Sequence, residues 1–271
     1  MTGSARRPTL RSVGMPAEHG GWGLTLEPGI LGVLIAPSLA GLFLAVAALL
    51  ALLLRTPLRL VLIDRQRDRA RPRTTLSLER TRLATRVAGI ELVAIAVALG
   101  LAALLAQDPR WWLPLVMAAP LLVMALWFDM RSMSRHIVPE IAGSVAIAAV
   151  AAAGALAGGA PWPLAIGAWV ILGGRVFSSI PHVRAQVSRI HGRPVPAAPS
   201  VLGDLAAVVT AIAALWLDPA LGVGALALVG VIVIQRITLL RPPRPAKVLG
   251  VRQMILGFTV VGATAAGSWL L

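Results

Sequence analysis

LAGLFLAVAALLALLLRTPLRLVLIDRQRDRARPRT, residues 39–74, decides the fold class. Residues 39–63 are apolar except around Arg55 and Arg59, and they exceed the roughly 20 residues a helix needs to cross about 30 Å of hydrocarbon. The run is rich in Ala, Leu and Val and does not alternate polar with apolar residues, so it reads as a helix rather than a barrel strand. Arginines at 65, 67, 69, 71 and 73 then follow, and the positive-inside rule places such a cluster in the cytoplasm.

The same alternation runs through the rest of the chain. Further apolar spans are expected at about residues 22–36, 83–106, 111–128, 137–158, 162–180, 201–217, a span ending near 240, and 254–271. The inner connections after the second, fourth, sixth and eighth spans are long and basic, whereas the outer turns are short and nearly uncharged. Of 25 Lys and Arg residues, all but Arg110 fall on the inner side, as do all four histidines. A chain that is 58% hydrophobic and 13% charged, with a mean hydropathy of +0.83, is an integral membrane protein. The expected architecture is an all-α bundle of nine transmembrane helices, N-terminus cytoplasmic and C-terminus outside. Residues 1–14 form a basic cytoplasmic tail, and 15–271 form one transmembrane domain of the bacterial cell membrane.

Composition narrows the function classes. The net charge of +14 lies in the connections beside apolar spans, which points to membrane lipids and away from nucleic acid. Zero cysteines exclude disulfides, iron–sulfur ligation and thiolate catalysis. No HxxH or HxxxH pair and no mid-span histidine is present, so haem is not expected. No phosphate-cradling loop, nucleophile elbow or zinc-protease motif occurs.

Chemistry-bearing residues gather toward the inner side. Glu27, Glu91, Glu140 and Arg175 interrupt apolar spans, where each ionised group costs about 2.5–3.5 kcal/mol and is normally turned toward a partner or cavity. The EHGGWG segment, residues 18–23, sets Glu18 and His19 before three glycines and a tryptophan at the membrane boundary. Asp64 and Asp68 are four apart; on a continuing helix they share a face and can bind one divalent cation bridged to a phosphate. Each pattern also has a plain structural reading, as interfacial anchor, ion pair or topogenic charge. Residues 64–72 and 182–194 each run through spaced arginines to an Arg-Pro, the pattern of an internal duplication.

EHGGWG (18–23), PLRLVLIDRQR (57–67) and FSSIPHVRAQVSR (177–189) resemble the YwiC-like membrane proteins. More broadly, nine helices with polar inner loops after the second, fourth and sixth resemble the UbiA superfamily of intramembrane prenyltransferases. The resemblance covers about residues 15–271. It implies a cytoplasm-facing cavity in which an isoprenoid or other lipid diphosphate is held by Mg²⁺ on two aspartate-rich motifs and by basic residues of the middle loop. Carried onto this chain, Asp64 and Asp68 become the metal ligands, with one Mg²⁺ site at most. Arg131, Arg135, His136, Arg175, His182, Arg184 and Arg189 become substrate contacts, and Glu18, His19 and Glu140 contact the acceptor or act as base. Between Arg175 and Gly203 no aspartate stands where the second motif belongs. The enzymatic expectation is therefore a divergent prenyltransferase using one metal or none, beside binding without turnover. A different class, a non-catalytic assembly factor or small-anion transporter, would use the same basic face.

Overall fold

The structure is a computed structural model that describes residues 9–14, 21–67, 75–131 and 136–270. Ten helices follow one another: α1 (Leu10–Gly14), α2 (Gly21–Ile35), α3 (Leu39–Arg67), α4 (Thr75–Leu105), α5 (Leu113–Met130), α6 (Ile137–Ala157), α7 (Trp162–Ile190), α8 (Ala198–Leu217), α9 (Gly222–Leu239) and α10 (Ala246–Leu270). A 3₁₀ turn at Pro219–Leu221 joins α8 to α9, and no strand occurs among the described residues. This is an all-helical bundle of the integral membrane kind.

Eight helices, α3 to α10, are long and apolar enough to cross a membrane. The expected ninth span corresponds to α2, whose apolar part, Trp22–Ile35, is shorter than a bilayer requires. Pro28 lies inside α2 and Pro37 follows it. Helix α2 packs on α3, α6, α7 and α10, so it meets protein rather than lipid over much of its surface. Its length is thereby freed from the bilayer's.

Small residues bring the central helices together. Ala149, Ala151, Ala152, Ala153 and Ala155 of α6 are fully buried, and a Cβ added at Gly32 would stand 2.9 Å from the Ala151 carbonyl oxygen. Lipid offers no hydrophobic drive for helix association, so this close backbone approach is a principal source of packing energy. Helices α6 and α7 are mostly buried, whereas α4, α5 and α8 turn most of their surface outward.

Several inner ends differ from expectation. The sixth span was expected to stop at 180 and give way to a loop, but α7 continues through Pro181 to Ile190. Helix α4 begins eight residues before the expected 83, and α10 eight before 254. Hydropathy marks where lipid ends; helical hydrogen bonding continues beyond it. Proline 181 cannot bond back to the Phe177 carbonyl. Gly203 of α8 lies against that oxygen, so closely that any added Cβ would overlap it. Helix α7 ends instead at Ile190 and is closed by Gly192, with φ +64°: Arg193 N–H bonds Ser188 O at 2.9 Å and Gly192 N–H bonds Arg189 O at 3.1 Å, a Schellman closure.

Arg110, the basic residue assigned to the outer side, is neutralised locally. Its guanidinium bonds Asp108 at 3.2 Å and lies 5.5 Å from the Trp162 ring centroid. The hydrogen bonds from Arg110 hold the Asp108 carboxyl below the usual carboxylate range.

Candidate functional site

Because α7 continues as a helix, Arg175, the pair Ser178 and Ser179, His182, Gln186 and Arg189 follow one another at three- or four-residue steps and share one face. That polar stripe is about 21 Å long. Its deep end is a buried ion pair: Arg175 Nη2 lies 2.9 Å from Glu27 Oε1 of α2, with both side chains 3% exposed. The same Nη2 donates to Gln253 O at 2.7 Å, and Nη1 donates to Ser179 Oγ at 3.1 Å. Arg175 lies roughly 20 Å along α7 from its outer end at Trp162. Gly257 of α10 gives the pair its room, since a Cβ there would overlap Glu27 Oε1 and Arg175 Nη2.

From this pair the network runs toward the inner side. Gln235 Nε2 donates to Gln253 Oε1 at 3.3 Å, and Ser178 Oγ lies 2.8 Å from both Gln235 Oε1 and Asp204 Oδ1. One hydroxyl hydrogen serves only one of those two acceptors at a time. Arg236 Nε donates to Asp204 Oδ2. Nearer the end of α7, Gln186 Nε2 donates to Thr238 O at 3.1 Å, while Arg189 donates to Leu239 O at 2.6 Å and Arg241 O at 3.0 Å. Arg189 thus closes the carbonyl end of α9, a capping role.

Three buried nitrogens on this face have no hydrogen-bond partner among the described residues: Arg175 Nε, Arg252 Nε and His182 Nδ1. Arg252 Nη2 approaches His182 Nε2 at 3.4 Å. A guanidinium can only donate, so a hydrogen bond here requires the tautomer that carries the ring proton on Nδ1. Gln253 Nε2 and Gln186 Oε1 are also buried without partners. Such groups are uncommon because each carries a desolvation cost of about 1–3 kcal/mol.

The other expected site residues are dispersed. Asp64 sits at the α3–α4 contact, where Arg80 Nη2 donates to its two oxygens at 2.9 and 3.1 Å and Thr81 Oγ1 donates to Oδ2 at 2.7 Å. These contacts take three of the carboxylate's roughly four acceptor positions, so a Mg²⁺ bound there would have to displace Arg80 or Thr81. Among the described residues no three His, Asp or Glu side chains gather as a metal site. Glu140 of α6 pairs with Arg184 of α7 at 2.9 Å, each 42% exposed, a rim contact of small energetic worth. Arg131 is exposed and lies 4.3 Å from the Trp127 ring centroid. His136 precedes α6, with its ring 6.4 Å from that of Phe128. Glu18, His19, Asp68 and Arg135 lie outside the described residues. The structure therefore brings Arg175, His182 and Arg189 onto the stripe, and Glu140 with Arg184 at the rim. Asp64 belongs to α3, and both α2 and α6 are common neighbours of α3 and α7.

Asp204, Gln235, Arg236, Arg252 and Gln253 were not singled out from sequence. Asp204 follows Gly203 directly, inside an otherwise apolar span, and Arg252 and Gln253 fell in an expected loop. A helical period continued past Pro181 would have shown the stripe.

The family model for YwiC-like protein matches residues 15–155, more than half of the chain. The chain belongs to the YwiC-like family. In this YwiC-like protein the matched residues include Glu27, Asp64 and Glu140 and stop before α7. No curated protein and no solved structure matches the chain.

Proposed function

We propose that this YwiC-like membrane protein binds a prenyl or other lipid diphosphate from the cytoplasmic side, with the phosphate groups taken by the polar face of α7 and α10. One observation carries the reading: Arg175 Nε, Arg252 Nε and His182 Nδ1 are buried nitrogens with no hydrogen-bond partner among the described residues. Unmatched nitrogens, two of them donors on cations, suit phosphate oxygens, and arginines neutralise a diphosphate without a metal. The carboxylates nearby, Glu27 and Asp204, are already paired with Arg175 and Arg236. Capture is thus by cations, not by the double aspartate–Mg²⁺ arrangement of UbiA-type enzymes.

A divergent prenyl transfer is the stronger form of this reading. The allylic C–O bond would break, diphosphate would leave onto these cations, an acceptor carbon would form the new bond, and a base such as Glu140 would take its proton. Transport is less well supported. The stripe ends at Glu27 and Arg175, and toward the outer side α2 continues with the buried apolar side chains of Leu31 and Ile35.

The test is a thermal-shift titration of the purified protein with isoprenyl diphosphates and pyrophosphate, each with Mg²⁺ and with EDTA. The expected result is stabilisation by an isoprenyl diphosphate in EDTA that Arg252→Gln reduces at least fivefold in apparent affinity. Stabilisation that requires Mg²⁺ would return the site to Asp64 and Asp68. No stabilisation by any diphosphate would favour the assembly-factor class.

A further inference from the structure

Two open depressions lie on the outward face of α4, away from the polar stripe. They adjoin, sharing Thr85 and Arg86, with volumes of about 360 and 460 Å³. Arg82 and Arg86 flank the inner part; Gly89, Ile90 and Val93 line the other. These positions are spaced three or four apart, so they form one apolar trough along the helix, walled at its inner end by the aliphatic stems of Arg82 and Arg86, whose guanidiniums lie beyond it. Both arginines are exposed, Ile90 is 70% and Val93 65% exposed, and a Cβ added at Gly89 would meet nothing within 4 Å.

Depth decides what such a trough would hold. At about 1.5 Å per residue, Arg86 lies roughly 28 Å and Arg82 roughly 34 Å from the outer end of α4 at Leu105. A hydrocarbon core of about 30 Å therefore places both guanidiniums at the inner headgroup level, with Gly89, Ile90 and Val93 below them among acyl chains. Most inner-side arginines with assigned contacts are committed within the protein: Arg55 to Asp129, Arg80 to Asp64, Arg184 to Glu140, Arg189 to carbonyls and Arg236 to Asp204. Arg82 and Arg86 have no acceptor among the described residues, and Glu79, three residues before Arg82, forms no ion pair with it. Thr85 Oγ1 gives its hydrogen to Thr81 O at 2.9 Å, which leaves the arginines as the anion-binding donors at the inner end of the trough.

We propose that α4 carries a binding site for one anionic glycerophospholipid of the inner leaflet, its phosphate held by Arg82 and Arg86 and one acyl chain lying over Gly89 against Ile90 and Val93. Two guanidiniums one turn apart can grip one phosphate, which sets this site apart from the single charges that attract any anionic headgroup. The site is independent of the diphosphate site proposed above, and shares no residue with it.

Native mass spectrometry and thermal shift of the full chain in detergent, with phosphatidylglycerol, phosphatidylcholine or inorganic phosphate added, test this. The wild type is expected to retain phosphatidylglycerol preferentially and to be stabilised by it, with no comparable effect of phosphatidylcholine or inorganic phosphate. The Arg82→Gln/Arg86→Gln double variant should lose at least fivefold of that retention, whereas an Arg193→Gln/Arg244→Gln variant with the same charge loss should keep it. Gly89→Leu, which fills the trough and leaves both arginines in place, should also lose it. Equal retention in the double variant and the wild type, equal retention of phosphatidylcholine, or full protection by inorganic phosphate would each overturn the proposal. The substituted side chains are on the outward face, and the melting profile without added lipid reports whether the fold is intact.

Discussion

Removing one member of the Glu27–Arg175 pair leaves the other charge without compensation in the middle of the bundle, whereas removing both leaves two apolar surfaces. Breaking a buried pair from one side costs about 3–5 kcal/mol, while replacing the whole pair by apolar groups of similar volume is often near neutral. Arg175→Met is therefore expected to lower the melting temperature sharply, and Glu27→Leu/Arg175→Met to recover most of the loss. Gly257→Ala should resemble the single variant without altering either charge, because its Cβ would occupy the place of Glu27 Oε1 and Arg175 Nη2. Thermal unfolding in one detergent compares all three. If the double variant melted as low as Arg175→Met, the pair would contribute beyond charge compensation, and its donors to Ser179 and Gln253 would be the place to look.

At the scale of helices, the α7–α8 contact depends on Pro181 and Gly203 acting together. The proline leaves the Phe177 carbonyl without a helical donor, and the glycine lets α8 approach that carbonyl. Gly203→Ala should push the helices apart at a cost of about 1–3 kcal/mol, the usual range for overpacking. Gly173→Ala in α7, where a Cβ would meet nothing within 4 Å, should be neutral or stabilise by up to about 1 kcal/mol through helix propensity. Chemical denaturation of the two variants side by side separates a steric contact from a general intolerance of alanine in α7. The spans themselves were legible in sequence because a long apolar run has few alternatives to a membrane helix. What lay past their inner ends was less so. Pro181 reads as a stop, yet α7 continues, and the stripe formed by His182, Gln186 and Arg189 exists only on the helix. Nor could the sequence assign Asp64 to Arg80, or Glu27 to Arg175 across 148 positions, because such pairings are set by how helices neighbour one another.

For the whole molecule, topology turns on α2. Alone it is too short to span a bilayer, and a ninth crossing there is a prediction that rests on its surroundings. Before α2, Val13 of α1 is fully buried in a cluster with Val61 of α3 and Ala84 of α4, toward their basic ends. After it, Ala36 sits against Gly158 at the far end of α6, and Trp269 Nε1 near the end of α10 donates to Leu34 O at 2.9 Å. Val13 of α1 thus stands at the basic ends of the helices, and Ala36, just after α2, at the opposite ends. With the basic face cytoplasmic, the N-terminus is predicted inside and the C-terminus outside. Zero native cysteines make this directly measurable with single-cysteine variants. Pro109→Cys and Pro219→Cys should react with an impermeant maleimide in intact cells, and Arg193→Cys and Arg244→Cys only after permeabilisation. Thr9→Cys decides the role of α2: labelling only after permeabilisation means the chain crosses there, and a tag following Leu271 should then be reached from outside. Labelling of Thr9→Cys in intact cells, with the other four positions as predicted, would leave eight crossings and make α2 a helix that enters the bundle without traversing the membrane.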